Sequence, residues 1–258
     1  MLELQQATNP TPTRRISVGF ARTPQAIDAA LELRYRVFAL EQGARLASAA
    51  SGVDRDEFDE HCEHLVARDE TSGQTIGTYR ILAPQRAHAL GRFYADGEFD
   101  LSNLTGLRAG TAELGRSCVH PDYRTGGTIA LLWSALAAHV LQQGYSHLMG
   151  CASIGLTDGG ALARRLYNEL RCTALSPSRL RVHPRRPLPL DTPEPAAGIV
   201  RARVPPLIKG YLRLGACVCG DPAWDPQFNT ADLLMLLPVS RIAARYANHF
   251  LKPLEAAA

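Results

Sequence analysis

The stretch Ala112–Leu141 does most to constrain the fold. Ala112 to Val119 reads as a strand, with Glu113 and Arg116 embedded in it. It stops at His120-Pro121, because proline removes a ladder donor. A basic turn follows, Arg124-Thr-Gly-Gly-Thr128. Ile129, Leu132, Trp133, Leu136, Val140 and Leu141 then recur at the spacing of an amphipathic helix. Strand, glycine turn and helix N-terminus together make an anion site. Glycine lets the backbone approach closely, free N–H groups point outward, and the helix dipole favours negative charge. A phosphate-bearing ligand is implied, held by Arg124, Thr125, Gly126, Gly127 and Thr128. A carboxylate and a guanidinium lie one strand-length away.

The rest of the chain alternates strands and helices. Ile16 to Ala21 reads as a strand. Thr23-Pro24 opens a helix that runs to about Leu40, with Thr as N-cap and Pro at the first position. Gly43 to Glu60 is polar and ends acidic. It reads either as a loop that orders over substrate or as a plain surface loop. His64–Arg68 and Gln74–Leu82 form a hairpin around Asp69–Gly73. After the central motif come a strand at His147–Ser153, a helix at Ala161–Leu170 and a Pro/Arg-rich connection from Pro177 to Pro195. Further elements are expected at Val200–Val204 (strand), Pro206–Leu214 (helix), Ala216–Cys219 and Thr230–Leu237 (strands) and Ser240–Leu251 (helix). The order predicts an α/β fold in which helices sandwich a mixed sheet. It forms one domain over residues 16–258, preceded by a flexible arm at 1–15.

Several functional classes drop out. The formal charge of +3 is too small to imply nucleic acid. No apolar run reaches about 18 residues, so no transmembrane helix is expected. The N-terminus lacks the apolar core of a secretory signal. The six cysteines form no CxxC pair, and His61-Cys-Glu-His64 finds no second cluster, so no metal is expected. These features predict a cytoplasmic protein. From Arg171 to Arg213, nine Arg and Lys face Asp191 and Glu194. Such a patch suits an acidic partner or peripheral contact with an anionic inner-membrane surface.

The order of elements resembles the GNAT-type N-acyltransferase fold. Leu33-Arg-Tyr-Arg-Val-Phe38, Asp56-Glu-Phe-Asp59, Gly77-Thr-Tyr-Arg80, Glu113-Leu-Gly-Arg-Ser-Cys-Val119, Gly150-Cys-Ala-Ser153 and Pro206–Gly215 narrow the resemblance. As a set, over residues 30 to 237, they resemble the L-ornithine N-alpha-acyltransferases, which make lyso-ornithine lipid from 3-hydroxyacyl-acyl carrier protein. The chain also resembles acyl-homoserine lactone synthases, which would consume S-adenosylmethionine. A non-catalytic module for acyl carrier protein or lipid is the third reading. The resemblance implies that the donor is a 4′-phosphopantetheine thioester on acyl carrier protein, with no bound cofactor. The other partner is a small amino acid. The phosphate turn lacks the fuller Gly-x-Gly of ordinary acetyltransferases, which argues against free acetyl-CoA.

That chemistry needs a neutral amine, a base and a polarised thioester carbonyl. Glu113 is the leading base; Asp59 and Glu41 are the other candidates. A structural ion pair from Glu113 to Arg116 or Arg80 is the competing role. Buried Arg must be paired, so Arg36, Arg80 and Arg116 are expected to form a network with Asp56, Asp59 and Glu113 that could hold the amino-acid carboxylate. Phe38 and Ser153, within the family motifs, complete the candidate substrate site. Strand alternation puts Cys118 opposite Glu113, which argues against a nucleophilic cysteine unless a β-bulge intervenes.

Overall fold

The computed structural model describes residues 15–124, 127–189 and 204–242. Residues 1–14 of the expected arm, Thr125 and Gly126 of the phosphate turn, all of 190–203 with most of the strand expected at Val200–Val204, and the part of the expected last helix beyond Ile242 lie outside these residues. Ten strands are described: β1 (Ile16–Phe20), β2 (Glu63–Asp69), β3 (Thr75–Leu82), β4 (Phe99–Asp100), β5 (Thr111–Val119), β6 (His147–Gly155), β7 (His183–Pro184), β8 (Cys217–Val218), β9 (Ala223–Asp225) and β10 (Thr230–Pro238). Eight of them form one sheet in the order β1-β2-β3-β5-β6-β10-β8, with β9 also on β10; β4 and β7 pair separately. Every neighbour in the large sheet is antiparallel except β5 and β6. The expected mixed α/β sheet is therefore present.

Helix α1 (Pro24–Tyr35) starts as its sequence dictates: the Thr23 hydroxyl accepts the Ala26 N–H at 3.2 Å, and Pro24 occupies the first turn. It then widens rather than continuing to Leu40 as a regular helix. Arg36–Glu41 is π-helical, with the Gln42 N–H bonded to the Val37 carbonyl. Such wide turns gather at functional sites, and this one delivers Phe38 to the cleft described below.

Helix α3 (Gly127–Gln142) makes the crossover that parallel β5 and β6 require. With α4 (Ala161–Thr173) and α5 (Pro206–Arg213), it covers one face of the sheet through Leu132, Leu136, Leu166 and Tyr211. On the other face a second core gathers Phe58, Leu82, Phe93, Phe99, Met149 and Leu234 beneath α2 (Pro84–Leu90) and a 3-10 turn at Tyr94–Gly97.

Two features of β5 open the sheet. Its pairing with β6 is confined to Thr111↔His147, Ala112↔Leu148 and Glu113↔Met149, after which the strands part. At the point of parting, a Cβ on Gly150 would lie 2.3 Å from the Leu114 carbonyl oxygen, so only glycine fits. Two residues further, Arg116 takes a left-handed φ of 50° and the register with β3 shifts. This is a β-bulge. It reverses the alternation, so Cys118 packs against Leu33 of α1 and Val37 of the π-helical turn that follows, on the same face as Glu113 rather than opposite it.

Candidate active site

The gap between β5 and β6 is a cleft of about 200 Å³. Glu113, Arg116 and Ser117 line one side, Cys151 and Ser153 the other. Phe38, Arg80, Tyr94 and Phe228 form a wall, with Tyr79 and Tyr211 lining it as well. Ser153 and Phe38 are thus brought to the same space as Glu113, Arg80 and Arg116. Beyond Glu113 and Met149, β5 and β6 no longer pair with each other, so the backbone of their facing edges borders the cleft.

Glu113 is 5% exposed. Its Oε2 accepts the Tyr94 N–H at 2.7 Å and its Oε1 the Ala95 N–H at 2.8 Å. Burial pushes the carboxyl up to about 7; the two amides and the nearby Arg80 charge only moderate that rise. A carboxyl near neutrality can accept a proton at working pH. Among the described residues Glu113 forms no ion pair, so the salt bridge expected from sequence is replaced by two backbone amides. The connecting segment Arg92–Asp100 supplies them through Tyr94 and Ala95.

The arginine network is present with different members. Arg34 donates from Nε to Asp54 at 2.8 Å and as a fork to Asp59 at 2.7 and 3.1 Å. Arg80 reaches Asp56 at 2.5 Å and Asp59 at 3.1 Å. Arg116 reaches Asp54 at 3.1 Å and Asp56 at 2.9 Å, and its guanidinium lies between the Tyr94 and Phe228 rings, 4.9 and 4.8 Å from their centroids. Arg36 is exposed and takes no part. Arg34 replaces it because it follows Leu31 by three residues on the buried face of α1, whereas Arg36 does not. Three guanidinium groups thus meet three carboxylates. The loop from Gly43 to Glu60 is not plain surface: Asp54 and Asp59 lie buried inside it.

The alternative bases are placed less favourably. Burial would raise Asp59, but the hydrogen bond and charge of Arg34, with Arg80, outweigh it and hold this carboxylate far below the usual range. Glu41 is exposed and outside the cleft lining, gripped by both Arg124 nitrogens at 2.5 and 2.7 Å, a contact that lowers its pKa. Arg124 also donates to the Val119 carbonyl at 2.9 Å. Of the other phosphate-turn residues, Gly127 opens α3 with free space about its Cα, and Thr128 is buried with its methyl against Gly77. Cys118 is held protonated by burial, pushed up to about 12.

Sequence reasoning missed three contributors. Arg34 had a signal, the helical period. Asp232 had one too, as an acid inside an otherwise apolar strand. Asp54 had none: only the tertiary path of its loop buries it.

Comparison with known proteins gives a consistent result. A family model described as an acetyltransferase (GNAT) domain matches residues 33–134. An L-ornithine N(alpha)-acyltransferase of Agrobacterium fabrum is 38% identical over 243 residues, covering 89% of this chain and 83% of the relative. The enzyme of the same name from Rhodobacter capsulatus is 37% identical, covering 92% and 95%. Among solved structures, the acyl-homoserine lactone synthase LasI superposes with a TM-score of 0.51 at 13% identity, covering 88% of this chain and 91% of that one. At that identity it speaks for the fold alone.

Proposed function

The chain belongs to the L-ornithine N(alpha)-acyltransferase family and is an acyltransferase; from that premise we propose that it moves a 3-hydroxyacyl chain from acyl carrier protein to the α-amine of L-ornithine, giving lyso-ornithine lipid. The observation that carries this reading is Glu113: a buried carboxyl, raised to about 7, facing a cleft where two parallel strands part.

In this reading the thioester enters between β5 and β6 and the amine approaches from the Glu113 side. Glu113 takes the ammonium proton, directly or through one water, and the neutral amine attacks the carbonyl carbon. Backbone N–H groups of the parted strands stabilise the oxyanion. The C–S bond then breaks, and the departing thiolate takes up the proton that the attacking nitrogen sheds as the amide forms, while Glu113 returns its own proton to water. No acyl-enzyme is needed, and the two bound substrates gain chiefly from positioning. Arg116 and Arg80 face the α-carboxylate.

The donor is the 4′-phosphopantetheine thioester of acyl carrier protein, its phosphate at the N-terminus of α3, with no resident cofactor. No described helix is long and apolar enough to cross a membrane. Delivery of a lipid product therefore falls to peripheral contact through the basic patch that includes Arg185 and Arg186. Charge reversal of both should weaken binding to anionic vesicles or to carrier protein; indifference of both would remove the patch from the mechanism.

The decisive experiment incubates the purified chain with 3-hydroxyacyl carrier protein and single amino acids, and identifies products by mass spectrometry. N-acylornithine is expected. Its absence, with another amino acid acylated instead, would overturn the substrate.

A further inference from the structure

The charge balance around the cleft is uneven. Asp54, Asp56 and Asp59 are all matched by arginine, and Glu113 by two amides. At the far end a different set remains. Alternation on paired strands places Met149, Cys151 and Ser153 of β6 on the same face as Thr230, Asp232 and Leu234 of β10. From the second core, Glu98 reaches toward them. The ligand atoms of Glu98, Cys151 and Asp232 lie within 4.8 Å of one another. Asp232 is 3% exposed, accepts a hydrogen bond from the Thr230 hydroxyl at 2.9 Å and is also hydrogen-bonded to Ser153 and Glu98. Oε2 of Glu98 is fully buried, and no donor among the described residues reaches it. Among these residues, no Arg, Lys or His pairs with Glu98 or Asp232, although Cys151 and Asp232 both line the cleft.

Two buried carboxyl groups bonded to each other, with no cation beside them among the described residues, form a pair that a bound cation would stabilise. Resting on the reading of the acceptor as ornithine, we infer that Glu98 and Asp232 receive the side-chain δ-ammonium of the amino acid and so set the preference for a dibasic acceptor.

Distance supports the assignment. Cys151, at the centre of the group, lies two residues beyond Met149, the last β6 partner of Glu113, so roughly 8 Å is the least separation of the Glu113 and Cys151 Cα atoms and the parting of the strands widens it. In ornithine five bonds of about 1.5 Å separate the two nitrogens, a staggered span of roughly 6 Å. With a hydrogen bond of about 2.8 Å at each end the acceptor reaches across roughly 12 Å, so one nitrogen can face Glu113 while the other faces the acidic pair over the widened gap. A neutral side chain of the same length would leave the pair without a cation. In the empty cleft, burial and mutual repulsion push Glu98 up to about 9 and raise Asp232 as well; a bound ammonium would relieve both effects.

The test compares L-ornithine with L-norvaline, which has the same carbon chain without the δ-amine, as acceptors for wild type, Asp232→Asn and Glu98→Gln. A site built around a polar group rejects the analogue lacking it by large factors. We expect wild type to favour ornithine in kcat/KM by on the order of 10²-fold or more. The variants should lose that preference through KM for ornithine, with norvaline turnover held or raised. Wild type that acylates ornithine but does not prefer it to norvaline would overturn the inference and leave the ornithine reading standing. Variants that keep the wild-type preference would do the same. Wild type that acylates some other amino acid and not ornithine would instead overturn the reading itself. If a variant fails to fold, calorimetry on wild type decides: ornithine should bind far more tightly than norvaline, and equal affinity refutes the site. Stoichiometric metal in the purified protein, with ornithine acylation lost to a chelator, would assign the cluster to a metal instead and refute the proposal.

Discussion

Glu113→Gln separates the base from the scaffold. The fold raises this carboxyl from 4.5 to about 7. At 1.36 kcal/mol per unit that is about 3 kcal/mol in favour of the protonated form. The folded pKa lies above the unfolded one, so the native state binds more protons between these values. The contribution to stability is fully present below pH 4.5 and is lost as pH rises through 7. Glutamine stays neutral and lacks that loss, but turns an amide nitrogen toward the N–H of Tyr94 or Ala95, at a cost of about 1–3 kcal/mol. Above pH 7 the two effects nearly offset, so the variant should fold there about as well as wild type. Its turnover should nevertheless fall by roughly 10²–10⁴-fold, the usual share of proton transfer. Wild-type kcat/KM should climb with pH and level off above about 7. The assay is thiol release from acyl carrier protein between pH 5.5 and 9, with urea unfolding at each pH to place stability. A well-folded variant with near-normal turnover, or one that keeps a limb near pH 7, would refute the assignment.

Arg34→Met should cost about 3–5 kcal/mol, because it leaves three carboxylates of the network with two guanidinium groups; urea unfolding reads this. In wild type, Asp59 contributes stability that is present above its ordinary 3.8 and lost as pH falls below it, and this acid limb should shrink in the same variant. Gly150→Ala forces a Cβ to 2.3 Å from the Leu114 carbonyl oxygen, so strand parting must shift and about 1–3 kcal/mol should be lost, with activity falling further than stability. Gly127→Val meets no steric obstacle within the fold and should leave the melting temperature nearly unchanged while raising KM for acyl carrier protein; unchanged KM would move the phosphate elsewhere.

The architecture was legible because its elements obey local rules. Thr23-Pro24, the Asp69–Gly73 hairpin and the strand–turn–helix at residues 112–141 each carry their own periodicity or cap, and none needs a distant partner to form. The site was legible in part. Glu113, Arg80 and Arg116 announced themselves as charges inside apolar strands. Arg36 was mistaken for Arg34 because a motif marks both, while only the helical period says which faces inward. Asp54 and Glu98 could not be found. Each lies in an irregular segment, and each is buried only because a strand or helix far away in sequence closes over it.

Arg116 joins these observations. A non-glycine residue at φ 50° is strained by about 1–2 kcal/mol, yet the bulge persists because the side chain is over-determined. Two carboxylates hold its nitrogens and two aromatic rings bracket its plane. Those carboxylates belong to the 43–60 loop, and that loop is fixed in turn by Arg34 on α1. The same residue therefore parts β5 from regular pairing, shapes one wall of the cleft and locks the loop beside it. With Asp54 and Asp56 holding two of its nitrogens, Arg116 is a preorganised neighbour for an acceptor carboxylate rather than a mobile clamp. The charge that discriminates among acceptors must then come from carboxyl groups the arginines leave without a cation, and at the cleft that is Asp232 with Glu98 beside it.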